Sequence, residues 1–161
     1  MAELTTLSPC VRLILRGRAP GLDAAAIALG FPLPQTCRAA VNAERAALWL
    51  GPDEFLVLVR SADRLVADLT HALQAHAQAL VDVSHRQIAL QLHGPDATDM
   101  LNAGCPLDLH PDAFPVGMCT RTVLAKSEVI LWRTAPETFR LEIVRSFAPY
   151  VRAFLEEAAL A

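Results

Sequence analysis

The sequence predicts an α+β fold made of two related halves that share a core, and three observations carry that prediction. Residues 30–61 are echoed at 104–146. Gly30-Phe31-Pro32-Leu33 returns as Gly104-Cys105-Pro106-Leu107, Trp49 as Trp132, Phe55 as Phe139, and Val59-Arg60-Ser61 as Val144-Arg145-Ser146. The spacing between copies widens once, after the glycine motif, and then stays nearly constant, as in a duplicated unit with one longer loop. Second, each half runs through two-residue and helical hydrophobic periods in one order: strand, helix, three strands, helix. Third, a chain of 161 residues with 53% hydrophobic and 19% charged residues can bury roughly 70% of its unfolded surface, so no disulfide or metal staple is required.

In the first half, Val11, Leu13 and Leu15 alternate with Arg12, Ile14 and Arg16 as a half-buried strand, followed by the turn former Ala19-Pro20-Gly21. An alanine-rich helix runs from about Leu22 to Leu29. Gly30 stands where a left-handed cap falls, and Pro32 and Pro34 keep the helix from continuing. Thr36 to Val41, Ala46 to Leu50 and Phe55 to Arg60 read as three strands. The last two are joined in a hairpin by the four-residue turn Gly51-Pro52-Asp53-Glu54. Ser61 is placed to cap the next helix and Asp63 to sit near its positive end. Leu65, Leu69, Ala72, Leu73, His76 and Leu80 then fall on one helical stripe.

The second half repeats the order. Gln87 to His93 alternates as a strand, Gly94-Pro95-Asp96 opens a helix to about Asn102 that closes at Gly104, and a proline-punctuated connection runs from Pro106 to Gly117. Strands follow at Met118 to Ala125, Val129 to Arg133 and Phe139 to Val144. Ser146 is placed to cap the final helix as Ser61 caps the earlier one, and Val151, Phe154 and Ala158 take the places of Val66, Leu69 and Leu73. The pseudo-repeat halves thus cover about 10–80 and 86–159 of a single 1–161 chain, an α+β pattern with sheets covered by helices.

Composition and motifs exclude several classes of function. Net charge is -3, and the 14 cations, all arginine except Lys126, are scattered; phosphate binding needs a concentrated basic stripe, which argues against nucleic acid. No apolar run approaches the roughly 20 residues of a membrane helix. Met1-Ala2-Glu3-Leu4 lacks the basic region and apolar core of a secretory signal, so the expected compartment is the cytoplasm. Cys10, Cys37, Cys105 and Cys119 form no CxxC pair and read as reduced, buried small hydrophobes. Neither GxGxxG nor GxxxxGK[ST] is present to cradle a nucleotide. The five histidines lack the i, i+4 pairing that aims two imidazoles at one metal, and His76, on the apolar stripe, reads as a core histidine or a partner contact and not as a ligand. Ser84 and His85 are neighbours on an extended segment and point to opposite faces, and GxSxG is absent, which argues against a hydrolase nucleophile. Asp53 and Glu54 read as solvated turn carboxylates.

Leu50-Gly51-Pro52-Asp53-Glu54-Phe55-Leu56-Val57-Leu58 followed by Val81-Asp82-Val83-Ser84-His85-Arg86 resembles the gamma subunit of heterotetrameric sarcosine oxidases. Further matches are Gly94, Leu101 to Leu109 with Gly104-Cys105-Pro106-Leu107-Asp108-Leu109, Phe114-Pro115, Gly117, Thr120-Arg121-Thr122 and the Arg145-Ser146-Phe147 helix start, so nearly the whole chain is covered. The resemblance implies a subunit of an enzyme that oxidatively demethylates sarcosine to glycine, with hydrogen peroxide and either formaldehyde or 5,10-methylenetetrahydrofolate as products. It places FAD, FMN, NAD, zinc and tetrahydrofolate in the alpha, beta and delta subunits, with the large alpha subunit the expected partner, and none of them in this chain. Asp82-Val83-Ser84-His85 and Gly94-Pro95-Asp96-Ala97 are also similar to the folate-dependent aminomethyltransferases of the glycine cleavage system, which implies a shared folate-binding fold. Where those transferases carry the aspartate that contacts the folate amine, this chain has Ser127-Glu128 ahead of Val129-Ile130-Leu131-Trp132.

The resemblance transfers no catalytic, cofactor-binding or metal-binding residue. A non-catalytic subunit acting in assembly and stabilisation is therefore the leading expectation, and a folate-binding one-carbon transfer module the alternative. Interfaces draw most of their energy from aromatic residues and arginine, and on that rule the expected partner-binding residues are Phe114, Trp132, Arg133, Phe139 and Arg140, with core packing the competing reading of each aromatic.

Overall fold

The computed structural model describes residues 2–60 and 64–160. In chain order the elements are β1 (Glu3–Thr6), β2 (Val11–Gly17), α1 (Gly21–Leu29), β3 (Ala39–Val41), β4 (Arg45–Gly51), β5 (Glu54–Val59), α2 (Leu65–Leu73), β6 (Gln78–Asp82), β7 (Gln87–His93), α3 (Ala97–Asn102), β8 (Cys119–Leu124), β9 (Ser127–Ala135), β10 (Thr138–Val144) and α4 (Ala148–Ala158), the last preceded by a 3-10 turn over Arg145–Phe147. They form two units. The N-terminal unit is Pro9–Ser84; the C-terminal unit combines Met1–Ser8 with His85–Ala161.

The N-terminal unit is a five-stranded antiparallel sheet in the order β3-β4-β5-β2-β6. The alternation read in β2 points Leu13 and Leu15 at the helices, where they join Phe55, Val57 and Val59 of β5. Ala25 and Leu29 of α1 and Leu65, Leu69 and Leu73 of α2 complete this core. Each fully buried leucine contributes roughly 1.5–3 kcal/mol. Gly30 adopts φ 85°, and its N–H donates to the carbonyls of Ala26 and Ile27, which ends α1 in the left-handed cap expected of it. In the hairpin Gly51 pairs with Glu54, leaving Pro52 and Asp53 at the tip. The expected strand from Thr36 begins only at Ala39, because Cys37 takes a left-handed turn conformation with φ 56°. The expected caps Ser61 and Asp63 lie outside the described residues.

Leu80 lies not on a helical stripe but in a strand. α2 stops at Leu73, and the N–H groups of Gln74 and His76 turn back to the carbonyls of His71 and Leu73. The chain then extends into β6 at the sheet edge, where Val81 pairs with Ile14 and Leu80 with Leu15. No glycine or proline marks the stop, and a leucine seven residues after Leu73 satisfies both periods.

The C-terminal unit has the sheet order β1-β7-β10-β9-β8. Its own core gathers Leu90, Leu92, Val129, Leu131, Phe139, Leu141 and Ile143 from the sheet with Met100 and Leu101 of α3 and Ala148, Val151 and Leu155 of α4. Gly104 is fixed by close approach: a Cβ there would stand 2.6 Å from the Phe154 ring and 3.0 Å from the Ala125 nitrogen. Ser146 is not the cap of α4. It lies within the 3-10 turn, Phe147 occupies the cap position, and no side chain bonds to the first amides. The strand Glu3–Thr6, absent from the predicted order, pairs antiparallel with β7 from Glu3↔His93 to Thr6↔Leu90.

The two sheets repeat one topology. β6, β2, β5, β4 and β3 of one unit take the places of β1, β7, β10, β9 and β8 of the other. Register then corrects the sequence alignment. Phe55 faces Trp49 across its ladder, whereas Phe139 faces Arg133, so Arg133 is the counterpart of Trp49 and Trp132 that of Leu48. The matched tryptophans are a coincidence of one residue, and a slip of one reverses the face of the sheet. The helical match shifts likewise: the fully buried stripe is Leu65, Leu69, Leu73 in α2 and Ala148, Val151, Leu155 in α4, while Val66, Phe154 and Ala158 flank it half-buried.

Candidate functional site

In the segment Asp82-Val83-Ser84-His85 at the end of β6 the polar groups work on the backbone. The Asp82 carboxylate accepts hydrogen bonds from the Ser84 N–H at 2.8 Å and from the Ser84 hydroxyl. The Ser84 Oγ in turn accepts the Arg12 N–H of β2 at 2.9 Å, and the Val83 N–H donates to the Arg12 carbonyl. An Asx turn thus carries the chain out of the sheet edge, and Ser84 is occupied on both sides. Ser84→Ala is expected to cost about 1 kcal/mol, read as a lower unfolding midpoint in urea; an unchanged midpoint would refute this role.

Three of the residues expected to meet a partner, Phe114, Arg133 and Phe139, gather instead around a buried guanidinium, while Trp132 and Arg140 lie on the other face of the sheet. Arg133, on β9, donates through Nη1 to the carbonyls of Leu109 at 3.1 Å and Phe114 at 3.0 Å, and through Nε and Nη2 to the Pro136 carbonyl. Its guanidinium lies over the Phe139 ring, 5.0 Å from the centroid. A planar fork of five donors suits this arrangement, in which backbone carbonyls and an aromatic face surround the charge. The result is a clasp that holds the long loop from Pro106 to Gly117 against β9. Relative exposures are 1% for Phe114, 0% for Phe139, 4% for Arg133 and 8% for Trp132, so these four side chains offer almost no surface to a partner. Trp132 and Gln87 each keep a buried side-chain polar atom, Nε1 and Oε1, without a hydrogen-bond partner. Arg140 stands opposite Trp132 in the ladder and pairs with the buried Glu142, Nη2 to Oε1 at 2.6 Å and Nε to Oε1 at 2.8 Å.

The remaining candidates are dispersed. Glu128 is exposed on β9, opposite Val123, and Ser127 beside it is buried. A surface cleft of about 530 Å³ in the N-terminal unit is lined by Arg16, Arg18, Asp53 and His76 among others. Arg16 lies 3.8 Å from carboxylates of both Asp53 and Glu54, so its charge is largely offset there. His76 belongs to this cleft and not to the helical stripe. The cysteines are free thiols, Cys105 and Cys119 buried and Cys10 and Cys37 only half-buried. Among the described residues no three His, Cys, Asp or Glu side chains are grouped to hold a metal, and no helix is long and apolar enough to cross a membrane. Sequence reasoning missed the aromatics that do face outward, Phe147 at 48% and Tyr150 at 41% exposure. Neither falls on the Ala148, Val151, Leu155 stripe that α4 buries, whereas the stripe Val151, Phe154, Ala158 read from the sequence takes Phe147, four residues before Val151, into the core.

The paired α+β units place the chain in the fold class of the aminomethyltransferases. Aminomethyltransferase T of the glycine cleavage system from Bartonella henselae superposes with a TM-score of 0.70 at 14% identity, over 96% of this chain and 45% of that one, a likeness of fold alone. The sarcosine oxidase, gamma subunit family model matches residues 17–161, and the chain belongs to that family. It is 37% identical over 140 residues to the sarcosine oxidase subunit gamma of Corynebacterium sp. (strain P-1), covering 86% of this chain and 69% of the relative. It is 40% identical over 121 residues to that of an Arthrobacter species, covering 74% and 60%. The alignments thus take in 60% to 69% of the length of these two curated relatives. A chain of the heterotetrameric sarcosine oxidase from Corynebacterium sp. U-96, solved in complex with pyrrole 2-carboxylate, superposes with a TM-score of 0.93 at 35% identity, over 98% of this chain and 83% of that one.

Proposed function

We propose that this chain is the non-catalytic gamma subunit of a cytoplasmic heterotetrameric sarcosine oxidase and that it acts in assembly and stabilisation of the complex. The TM-score of 0.93 to a chain of such an oxidase, at 35% identity, is the observation that carries the reading. The complex would oxidise the N-methyl group of sarcosine, reduce dioxygen to hydrogen peroxide and release glycine. The one-carbon unit would pass to tetrahydrofolate or, with water supplying the oxygen, leave as formaldehyde. FAD, FMN, NAD, zinc and the folate would be held by the alpha, beta and delta subunits, with alpha the main partner. Within this chain, Arg133, Phe114 and Phe139 would serve the interface indirectly, by fixing the loop from Pro106 to Gly117, and Arg140 and Trp132 by shaping the sheet.

Co-expression with the other three subunits tests the proposal. A four-chain complex that oxidises sarcosine is expected to co-purify, and omission of this chain should lower the yield and melting temperature of the rest. A chain that never co-purifies with them would sink it.

A further inference from the structure

We propose that the start of α4, together with Arg86, is the surface by which this chain docks on an acidic face of another subunit; the inference rests on the subunit reading above and names the contact that reading requires. The chain has nine aromatic residues. Seven are buried or half-buried, and the two that are exposed, Phe147 and Tyr150, stand one turn apart at the head of α4. Pro149 between them is exposed as well, whereas Ala148 and Val151 turn into the core. Residues three apart on a helix are surface neighbours, so the two rings form one apolar patch.

The charge beside that patch has one sign. The Arg145 N–H donates to the Arg86 carbonyl at 2.9 Å, which brings the two arginine backbones together where the chain enters β7 and leaves β10. Both residues are exposed, and among the described residues neither guanidinium has an ion pair or a side-chain hydrogen bond. Arg16, Arg140 and Arg152, by contrast, each lie within 4 Å of a carboxylate. Exposed aromatics and arginines supply most of the energy of protein interfaces. Two arginines with no carboxylate of their own select an acidic partner, because a planar guanidinium bonds carboxylates in pairs. Arg86, Arg145 and Phe147 also belong to segments that carry the family resemblance, and all three are exposed.

The test is co-expression of the full chain with the other three subunits, with the tag on another subunit and recovery of this chain measured at low and high salt. Arg86→Glu with Arg145→Glu, and separately Phe147→Ala with Tyr150→Ala, are each expected to lower recovery about tenfold or more. Their isolated chains are expected to stay folded, since all four residues are exposed and none belongs to either core. Recovery of the parent should itself fall as salt rises to about 0.5 M, where surface charges are screened within a few ångströms. If a double variant melts early, Arg145→Gln and Tyr150→Ala singly decide the matter by the same recovery measurement. Parental recovery of all variants overturns the proposal. So does an isolated chain that is a dimer broken by these substitutions, since the surface would then serve a second copy. A parent chain that fails to co-purify overturns the subunit reading itself, which separates the two failures.

Discussion

Arg133→Met is expected to destabilise the chain by about 3 kcal/mol, seen as a lower midpoint in urea or thermal unfolding. Two buried carbonyl oxygens, of Leu109 and Phe114, lose the guanidinium that satisfies them, at about 1–3 kcal/mol each, while that of the exposed Pro136 can turn to water. Removing a buried charge returns part of that loss, which keeps the total well below the sum. The effect has a local signature. The loop from Pro106 to Gly117 should become the first site of limited proteolysis, ahead of the sheet. A midpoint within 1 °C of the parent, which at this chain length corresponds to less than about half a kcal/mol, would show that the clasp does not hold the loop.

Phe139→Ala should cost about 3–5 kcal/mol, the range for deleting a buried ring and leaving a cavity. Phe139 is fully buried in the C-terminal core and is also the aromatic face on which the Arg133 guanidinium rests. The two substitutions share that contact, so the double variant should lose about 1 kcal/mol less than the two single losses together. Additive losses in the double-mutant cycle would mean that ring and guanidinium act independently. Phe139→Leu, which keeps most of the volume, should retain most of the stability.

Much of the architecture was legible in the chain because local rules agreed with it. The alternation in Val11–Gly17 and Gln87–His93, the Gly30 cap and the Gly51-Pro52-Asp53-Glu54 turn each follow from side-chain period or backbone preference. β6 escaped because Leu80 fits a helical stripe and nothing after Leu73 breaks one. β1 escaped because four residues pairing with β7 are stabilised by a distant partner, which no local pattern reveals. The tryptophan match was misleading for a similar reason: only the ladder shows that Arg133, and not Trp132, faces Phe139.

The candidate interface was less legible than the fold. Phe114, Arg133 and Phe139 have the composition of an interface hot spot, but composition does not distinguish a buried clasp from a docking patch. Arg133 in particular reads as a surface residue until its acceptors are known, and those lie on the loop and the β9–β10 turn. The helical stripe read for α4 was one position off as well, and only the observed stripe of Ala148, Val151 and Leu155 leaves Phe147 and Tyr150 outside the core.

β1 bears on how the chain is made. The strand at residues 3–6 is an edge of the C-terminal sheet, whereas everything from Pro9 to Ser84 belongs to the other unit. As the chain emerges from a ribosome, that contiguous stretch has all its strands and both helices in hand and can close its own sheet first, as units do during translation. The leading segment has no partner until Gln87–His93 has been synthesised, and until then its backbone donors and acceptors are open to water or to another nascent chain. Folding is thus expected to be ordered: the unit from Pro9 to Ser84 can close first, and β1 is joined to β7 only afterwards.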